Sequence, residues 1–274
     1  MKKKIAALLL AAMMCTLAAC GAKDATADDE TNDKDTLVVA MELAYPPFET
    51  KDADGNPSGV SVDFAKAFGE YIGKDVVIEN IAWDGLIPAS QTGKADMVMS
   101  SMTITDERKE KVDFSEPYAN ALLALLTNKD SGITSIEDMN VEGRKIAVKT
   151  GSTGYFYAQK NLPNAEIIAL ADESACVTEV VQGKADGFIY DQLTIYRNWQ
   201  ANLDTTGAVF IPFQEADQWG IAVQKGNTEL LDELNKFIEK YTDEGGFDEL
   251  TDKYLADEKK AFEELGFKWF FDMD

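Results

Sequence analysis

Apolar and polar positions alternate in blocks along most of the chain. Residues 37–41 form an unbroken apolar run of strand type, and residues 63–72 carry Phe64, Phe68, Tyr71 and Ile72 at helical spacing. A second strand is expected over 76–81, a helix over 86–92 and a third strand over 95–100. The charged stretch 106–111 reads as a helix with Thr105 as its N-cap. An apolar run, 121–127, separates this set from a second one: strand 145–149, helix 152–162, strand 166–170, helix 173–182, strand 185–190 and helix 192–202. Alternation of this kind predicts a mostly parallel sheet covered by helices in each set. The chain then continues through a strand-like run at 209–213, the apolar stretch 219–223, an amphipathic helix over 228–244 and a helix-like 259–265, and ends with Phe267, Trp269, Phe270 and Phe271. Aromatics this close together must pack on the body or meet a partner, because exposed they are a liability in water.

The two sets share a short string. Gln91-Thr92-Gly93-Lys94-Ala95-Asp96 precedes one strand and Gln182-Gly183-Lys184-Ala185-Asp186 precedes another. In both, a glycine closes a helix and the chain enters a buried strand. If the sets are two similar lobes, their downstream corners, Ser100-Ser101 and Asp191, sit at equivalent strand ends, where open α/β sheets place their ligands.

Before the first strand come two segments of another kind. Residues 1–19 have a basic start, Lys2 to Lys4, then an apolar run too short for a membrane span, which together describe a secretory leader. Leu17-Ala18-Ala19-Cys20-Gly21 resembles the bacterial lipoprotein cleavage box, which implies that Cys20 becomes the first residue of the mature chain, carries lipid (palmitate among its acyl chains) and anchors the protein to the outer face of the cell membrane. Residues 20–35 are acidic and polar, a flexible tether.

Composition narrows the chemistry. The 274 residues include 49 acidic against 26 basic side chains, a formal net charge of −23, which argues against a nucleic-acid partner. There is no histidine, so an imidazole-based triad is excluded and the commonest zinc ligand is missing. Cys15 and Cys20 lie in the leader region and Cys176 stands alone in an apolar-patterned helix as a small core residue, so neither a disulfide framework nor a metal site is expected. No cofactor is implied.

The order of several motifs makes the pattern specific. Tyr45-Pro46-Pro47-Phe48-Glu49, Trp83-Asp84-Gly85-Leu86-Ile87-Pro88, Thr103-Ile104-Thr105-Asp106-Glu107-Arg108, Val112-Asp113-Phe114-Ser115-Glu116-Pro117-Tyr118, Lys149-Thr150-Gly151-Ser152-Thr153 and Tyr190-Asp191 together resemble the bacterial extracellular solute-binding proteins of family 3, the polar amino-acid-binding lipoproteins that feed ABC importers. The resemblance runs from about residue 36 to 255 and leaves the 257–274 tail outside it. It implies a type II periplasmic-binding-protein-like α/β fold. Two lobes, 36–119 plus 219–256 and 120–218, are joined by a two-strand hinge and close on ligand.

The resemblance also implies a ligand set. Arg108 grips the α-carboxylate with a bidentate fork, and backbone N–H groups of Thr103 and Thr153 share it. Asp191 holds the α-ammonium with the Ser101 carbonyl and the Thr103 hydroxyl, while Tyr45 and Trp83 sandwich the ligand. Ser152 belongs to the same set. Glu42 and Lys149 face the ligand side chain. Opposite charges there favour a neutral dipole such as an amide, so glutamine is expected ahead of arginine or lysine. The expected protein is a monomeric, non-enzymatic receptor for a membrane permease. A carboxylate-dependent dehydratase on the same scaffold, or an amino-acid sensor or adhesin, stays open.

Overall fold

The computed structural model describes residues 35–210 and 216–273. The expected leader, Cys20, the tether up to residue 34 and most of the strand-like run 209–213 lie outside the described residues. The chain opens with β1 (Thr36–Met41), a small hairpin of β2 (Thr50–Lys51) and β3 (Pro57–Ser58), α1 (Val60–Ile72), β4 (Asp75–Asn80), α2 (Leu86–Gln91), β5 (Met97–Val98), α3 (Asp106–Lys109) and β6 (Val112–Phe114). β7 (Ala119–Ala121) leads into a second series: β8 (Leu123–Asn128), β9 (Lys145–Lys149), α4 (Thr153–Asn161), β10 (Glu166–Leu170), α5 (Glu173–Val181), β11 (Gly187–Asp191), α6 (Gln192–Ala201) and β12 (Thr206–Val209). β13 (Asp217–Trp219) returns the chain to β14 (Ala222–Gln224), α7 (Thr228–Asp243), α8 (Gly246–Tyr254) and α9 (Ala256–Leu265).

Two five-stranded sheets result, one per lobe, in the orders β4-β1-β5-β14-β6 and β10-β9-β11-β8-β12. The orders correspond strand for strand. The shared string explains why: Asp96 N–H donates to the Val38 carbonyl at 2.9 Å while its Oδ2 accepts from Val38 N–H at 2.7 Å, and Asp186 makes the same two contacts with Lys145, both at 2.8 Å. In each case the aspartate locks the start of β5 or β11 beside β1 or β9. Gly93 and Gly183, at φ 72° and 69°, supply the left-handed turn that precedes it.

The sheets are less parallel than the alternation suggests. β4-β1-β5 and β10-β9-β11 are parallel, but β14 and β8 run antiparallel to both their neighbours. Both antiparallel strands arrive from the other lobe, without the helical crossover that would return them in the same sense. The crossing segments themselves, β7 and β13, pair as a two-stranded antiparallel ribbon with Asn120 opposite Gln218.

Local differences from the sequence expectation have local causes. α1 starts at Val60, not 63, because Gly59 at φ 123° allows a turn in which any Cβ would lie 2.4 Å from the Phe48 carbonyl oxygen. That close approach pins the 45–49 loop. β5 is two residues long because the chain peels off the sheet at Ser100-Ser101, with Ser101 at φ 47°. α8, over a stretch for which no element was expected, begins directly after Gly245, which is left-handed. Cys176 is buried, with its thiol pushed up to about 12 by burial. The first lobe holds the largest core, where Phe64 and Phe68 of α1 pack on Phe237 of α7. Among the described residues no helix is long and apolar enough to cross a membrane.

Candidate functional site

The strand ends that the sequence pairs do meet. A cleft of about 540 Å³, counting its open mouth, lies where the two sheets face each other, and nine of the ten predicted site residues line it: Glu42, Tyr45, Trp83, Ser101, Thr103, Arg108, Ser152, Thr153 and Asp191. Lys149 is the tenth. It is buried, and its ammonium pairs with the Glu42 carboxylate, so it bears on the cleft through Glu42 rather than lining it.

The arginine sits where the opening stretch of α3 puts it. Thr105 accepts the Arg108 N–H at 3.2 Å and caps that short helix, turning the side chain inward. The guanidinium donates from Nη1 to the Thr103 carbonyl at 2.7 Å and from Nη2 to the Gly151 carbonyl at 3.1 Å, and lies 5.2 Å from the centre of the Trp83 ring. These bonds use two of its five N–H groups, which leaves three able to meet an oxyanion. Burial lowers its pKa to about 10, opposed by the nearby Asp217 and Glu107 carboxylates, so it remains a cation at neutral pH.

On the other lobe, Asp191 ends β11, caps α6 and lines the same cleft. Its Oδ1 accepts from Leu193 N–H at 3.0 Å and Thr194 N–H at 3.1 Å, while Oδ2 is buried with no hydrogen-bond partner. Burial raises this carboxyl above the ordinary range. A buried acceptor left open at the wall of a cleft is what a cationic group would satisfy. The Tyr45 hydroxyl is likewise buried without a well-formed hydrogen bond and is the polar neighbour of the Asp191 carboxyl, and its ring stacks on Phe48 at 5.3 Å.

Trp83 and Glu42 tie the walls together. Trp83 Nε1 donates to the Gly151 carbonyl at 3.2 Å, and its backbone N–H donates to Glu42 Oε1 at 3.3 Å. Ser152 caps α4 by accepting Tyr155 N–H at 3.2 Å, and Thr153 opens that helix, where the first backbone N–H groups point outward. Thr103 forms an isolated bridge to Trp219, which brings the first lobe's corner against the returning strand.

Seven lining residues were absent from the expected set: Ser100, Tyr190, Asp217 and Trp219, and the apolar Ala121, Leu122 and Leu123. Asp217 and Trp219 belong to β13, and only their closeness to the expected lobe boundary at 218/219 could have flagged them. Beneath the cleft, Glu49 is fully buried and accepts from the hydroxyls of Ser61 and, at 2.9 Å, Ser101. Burial outweighs those bonds and pushes its carboxyl up to about 8. Glu173 at the start of α5 is raised to about 8 as well, by burial and then by the nearby Asp191 charge. Among the described residues no group of His, Cys, Asp or Glu is arranged to hold a metal ion.

Comparison with known proteins agrees with this geometry. Residues 37–257 match the family model described as bacterial extracellular solute-binding proteins, family 3. A protein of Neisseria gonorrhoeae named "Probable histidine-binding protein" is 34% identical, the match covering 94% of this chain and 97% of that one. Among solved structures, the ancestral amino acid-binding protein AncCDT-1, described as a precursor of cyclohexadienyl dehydratase, is 38% identical with a TM-score of 0.74, covering 80% of this chain and 95% of its own. An ancestral arginine-binding protein bound to glutamine is 34% identical with a TM-score of 0.73, covering 81% and 98%.

Proposed function

Because the chain belongs to the bacterial extracellular solute-binding proteins of family 3, we propose that it is the receptor of an ABC importer, capturing a polar L-amino acid between its lobes and delivering it to a membrane permease. The observation that carries this reading is that one cleft is lined both by a buried guanidinium, Arg108 of the first lobe, and by Asp191 of the second, whose Oδ2 is buried without a hydrogen-bond partner. An α-amino acid carries the complementary pair, a carboxylate and an ammonium. Thr103 and Thr153 support the carboxylate; Ser101 supports the ammonium; Tyr45 and Trp83 enclose the ligand. Lobe 1 comprises 36–119 and 219–256, and lobe 2 comprises 120–218. The short ribbon β7–β13 is the hinge between them.

Glutamine is the first choice of ligand, then arginine and lysine. Glu42 and Lys149 neutralise each other in a part-buried ion pair, and such a wall favours a neutral side chain that both donates and accepts over a full charge. Lipidation at Cys20 anchors the receptor to the membrane, and the protein works as a monomer. Arg108→Ala should abolish amino-acid binding while the thermal transition stays cooperative; unaltered affinity would reject the carboxylate assignment.

A second reading, a dehydratase-like enzyme, is favoured by one relative's description as a precursor of cyclohexadienyl dehydratase and by two buried carboxyls, Glu173 and Asp191, both raised above the usual range. Appearance of a product by mass spectrometry after incubation with a bound compound would select it.

A further inference from the structure

The family match ends at residue 257, and the segment that follows, most of α9 and the aromatic turn after it, touches both lobes and the ribbon between them. On the first lobe, Trp269 Nε1 donates to Thr251 Oγ1 at 3.2 Å and the Phe271 ring stacks on Phe247 at 4.6 Å. On the second lobe, Glu258 pairs with Arg197 of α6 at 3.7 Å and Phe267 packs on Phe210 at 5.1 Å. At the ribbon, Asn120 of β7 donates its backbone N–H to the Phe270 carbonyl at 2.6 Å and its side-chain amide to the Asp272 carbonyl at 2.8 Å. The segment therefore continues the β13–β7 ribbon with a third run of chain on the free edge of β7.

The same segment backs one wall of the cleft. The Phe270 ring lies 5.5 Å from Trp219 and 5.5 Å from Phe48, and Phe48 in turn stacks on Tyr45. Both Trp219 and Tyr45 line the cleft.

We propose that residues 256–272 form a third tie between the lobes, restraining rotation about β7 and β13 and positioning the Tyr45–Trp219 wall, so that this segment sets ligand affinity without touching ligand. The affinity part rests on the function proposed above. With two crossing strands alone, the ribbon bends wherever its short ladder allows. A third run bonded to Asn120 and held to each lobe by side chains removes part of that freedom and so reduces the ordering cost of closing on ligand.

The test uses the full chain in detergent, one variant that removes two of the segment's contacts with the second lobe while leaving the Phe262–Tyr196 contact and the docked Trp269, Phe270 and Phe271 in place, and one variant that restores apolar bulk at 267. Hydrogen exchange of the ligand-free protein is compared for wild type, the double variant Phe267→Ala with Glu258→Gln, and the same double variant carrying Phe267→Leu instead. Peptides covering 119–121 and 217–219 should exchange at least about tenfold faster in the alanine variant, with peptides from α1 and β9 unchanged and with leucine restoring most of the protection. Amino-acid affinity should weaken about fivefold or more in the same variant. Hinge peptides that exchange at the wild-type rate would overturn the proposal, and faster exchange with unaltered affinity would overturn the claim that the tie sets affinity. If the wild type binds no amino acid, the functional reading fails by itself, and the exchange comparison alone decides whether the tie exists.

Discussion

Asp191 performs two tasks with two oxygens, and they can be separated. Oδ1 holds the start of α6 through two N–H groups, while Oδ2 is buried without a hydrogen-bond partner in a residue that lines the cleft. Asp191→Asn keeps an acceptor for the cap, since asparagine is as good an N-cap as aspartate, but removes the charge that would meet an ammonium. Truncating one partner of a buried, hydrogen-bonded charge pair costs about 2–5 kcal/mol, or about 30-fold to several thousand-fold in affinity. Stability should move the other way. The folded carboxyl is raised above its ordinary value by burial, so its favourable contribution is complete below the unfolded value and is lost as pH rises through the folded one. The Asn variant carries no such loss and should be at least as stable as wild type at pH 7, with the two converging in acid. Asp191→Ala, lacking the cap, should fall about 1 kcal/mol below Asn. Calorimetric titration gives the affinity and urea unfolding the stability. An Asn variant that binds within about threefold of wild type, roughly 0.7 kcal/mol, would refute the ammonium assignment.

Other outcomes follow from the same geometry. Arg108→Lys keeps the charge and loses the planar fork held between the Thr103 and Gly151 carbonyls, so titration should record an affinity about 10- to 100-fold weaker, with no preference for a different side chain. Lys149→Met leaves the Glu42 charge without its partner; at about 4 Å and an effective dielectric near 20 a charge pair is worth at most about 4 kcal/mol. The ratio of arginine to glutamine affinity should therefore rise at least about tenfold, measured by competition. Glu49 is neutral in the folded protein up to about pH 8 and ordinarily ionises near 4.5, so its stabilising contribution is full below about pH 4.5 and is lost as pH rises toward 8. Relative to wild type, Glu49→Gln should gain stability across that window, by a ceiling of about 5 kcal/mol, read from urea melts at pH 5 and pH 8.

The fold was largely legible where local rules agree with tertiary ones. β1, β9 and β10 stand where the apolar runs place them, and Thr105, Ser152 and Asp191 cap the helices that begin after them. The repeated Gly-Lys-Ala-Asp string was readable because a glycine turn and an aspartate lock are local chemistry that serves both lobes. What escaped is non-local. Nothing near Ala222 or Leu123 in the chain says that its strand will run antiparallel inside an otherwise parallel sheet; that depends on the hinge route. The second layer of the site was hidden for the same reason. Glu49 ends the Tyr45-Pro46-Pro47-Phe48-Glu49 motif, yet its contact with Ser101 spans 52 residues, and Asp217 reaches the cleft only because β13 lies beside β7. The tail aromatics were visible as a patch needing cover, and Phe247, Phe48 and Trp219 provide it.

The most direct measurement is calorimetric titration of a soluble form beginning at Thr36, stripped of co-purified ligand by partial unfolding, against the common amino acids. Tight one-to-one binding of glutamine, ahead of arginine and lysine, is the predicted result, carried by Arg108, Asp191 and the Glu42–Lys149 pair. Preference for arginine or lysine would keep the receptor and discard the neutral-wall reasoning, while no heat with any amino acid would contradict the claim that this cleft is an amino-acid site.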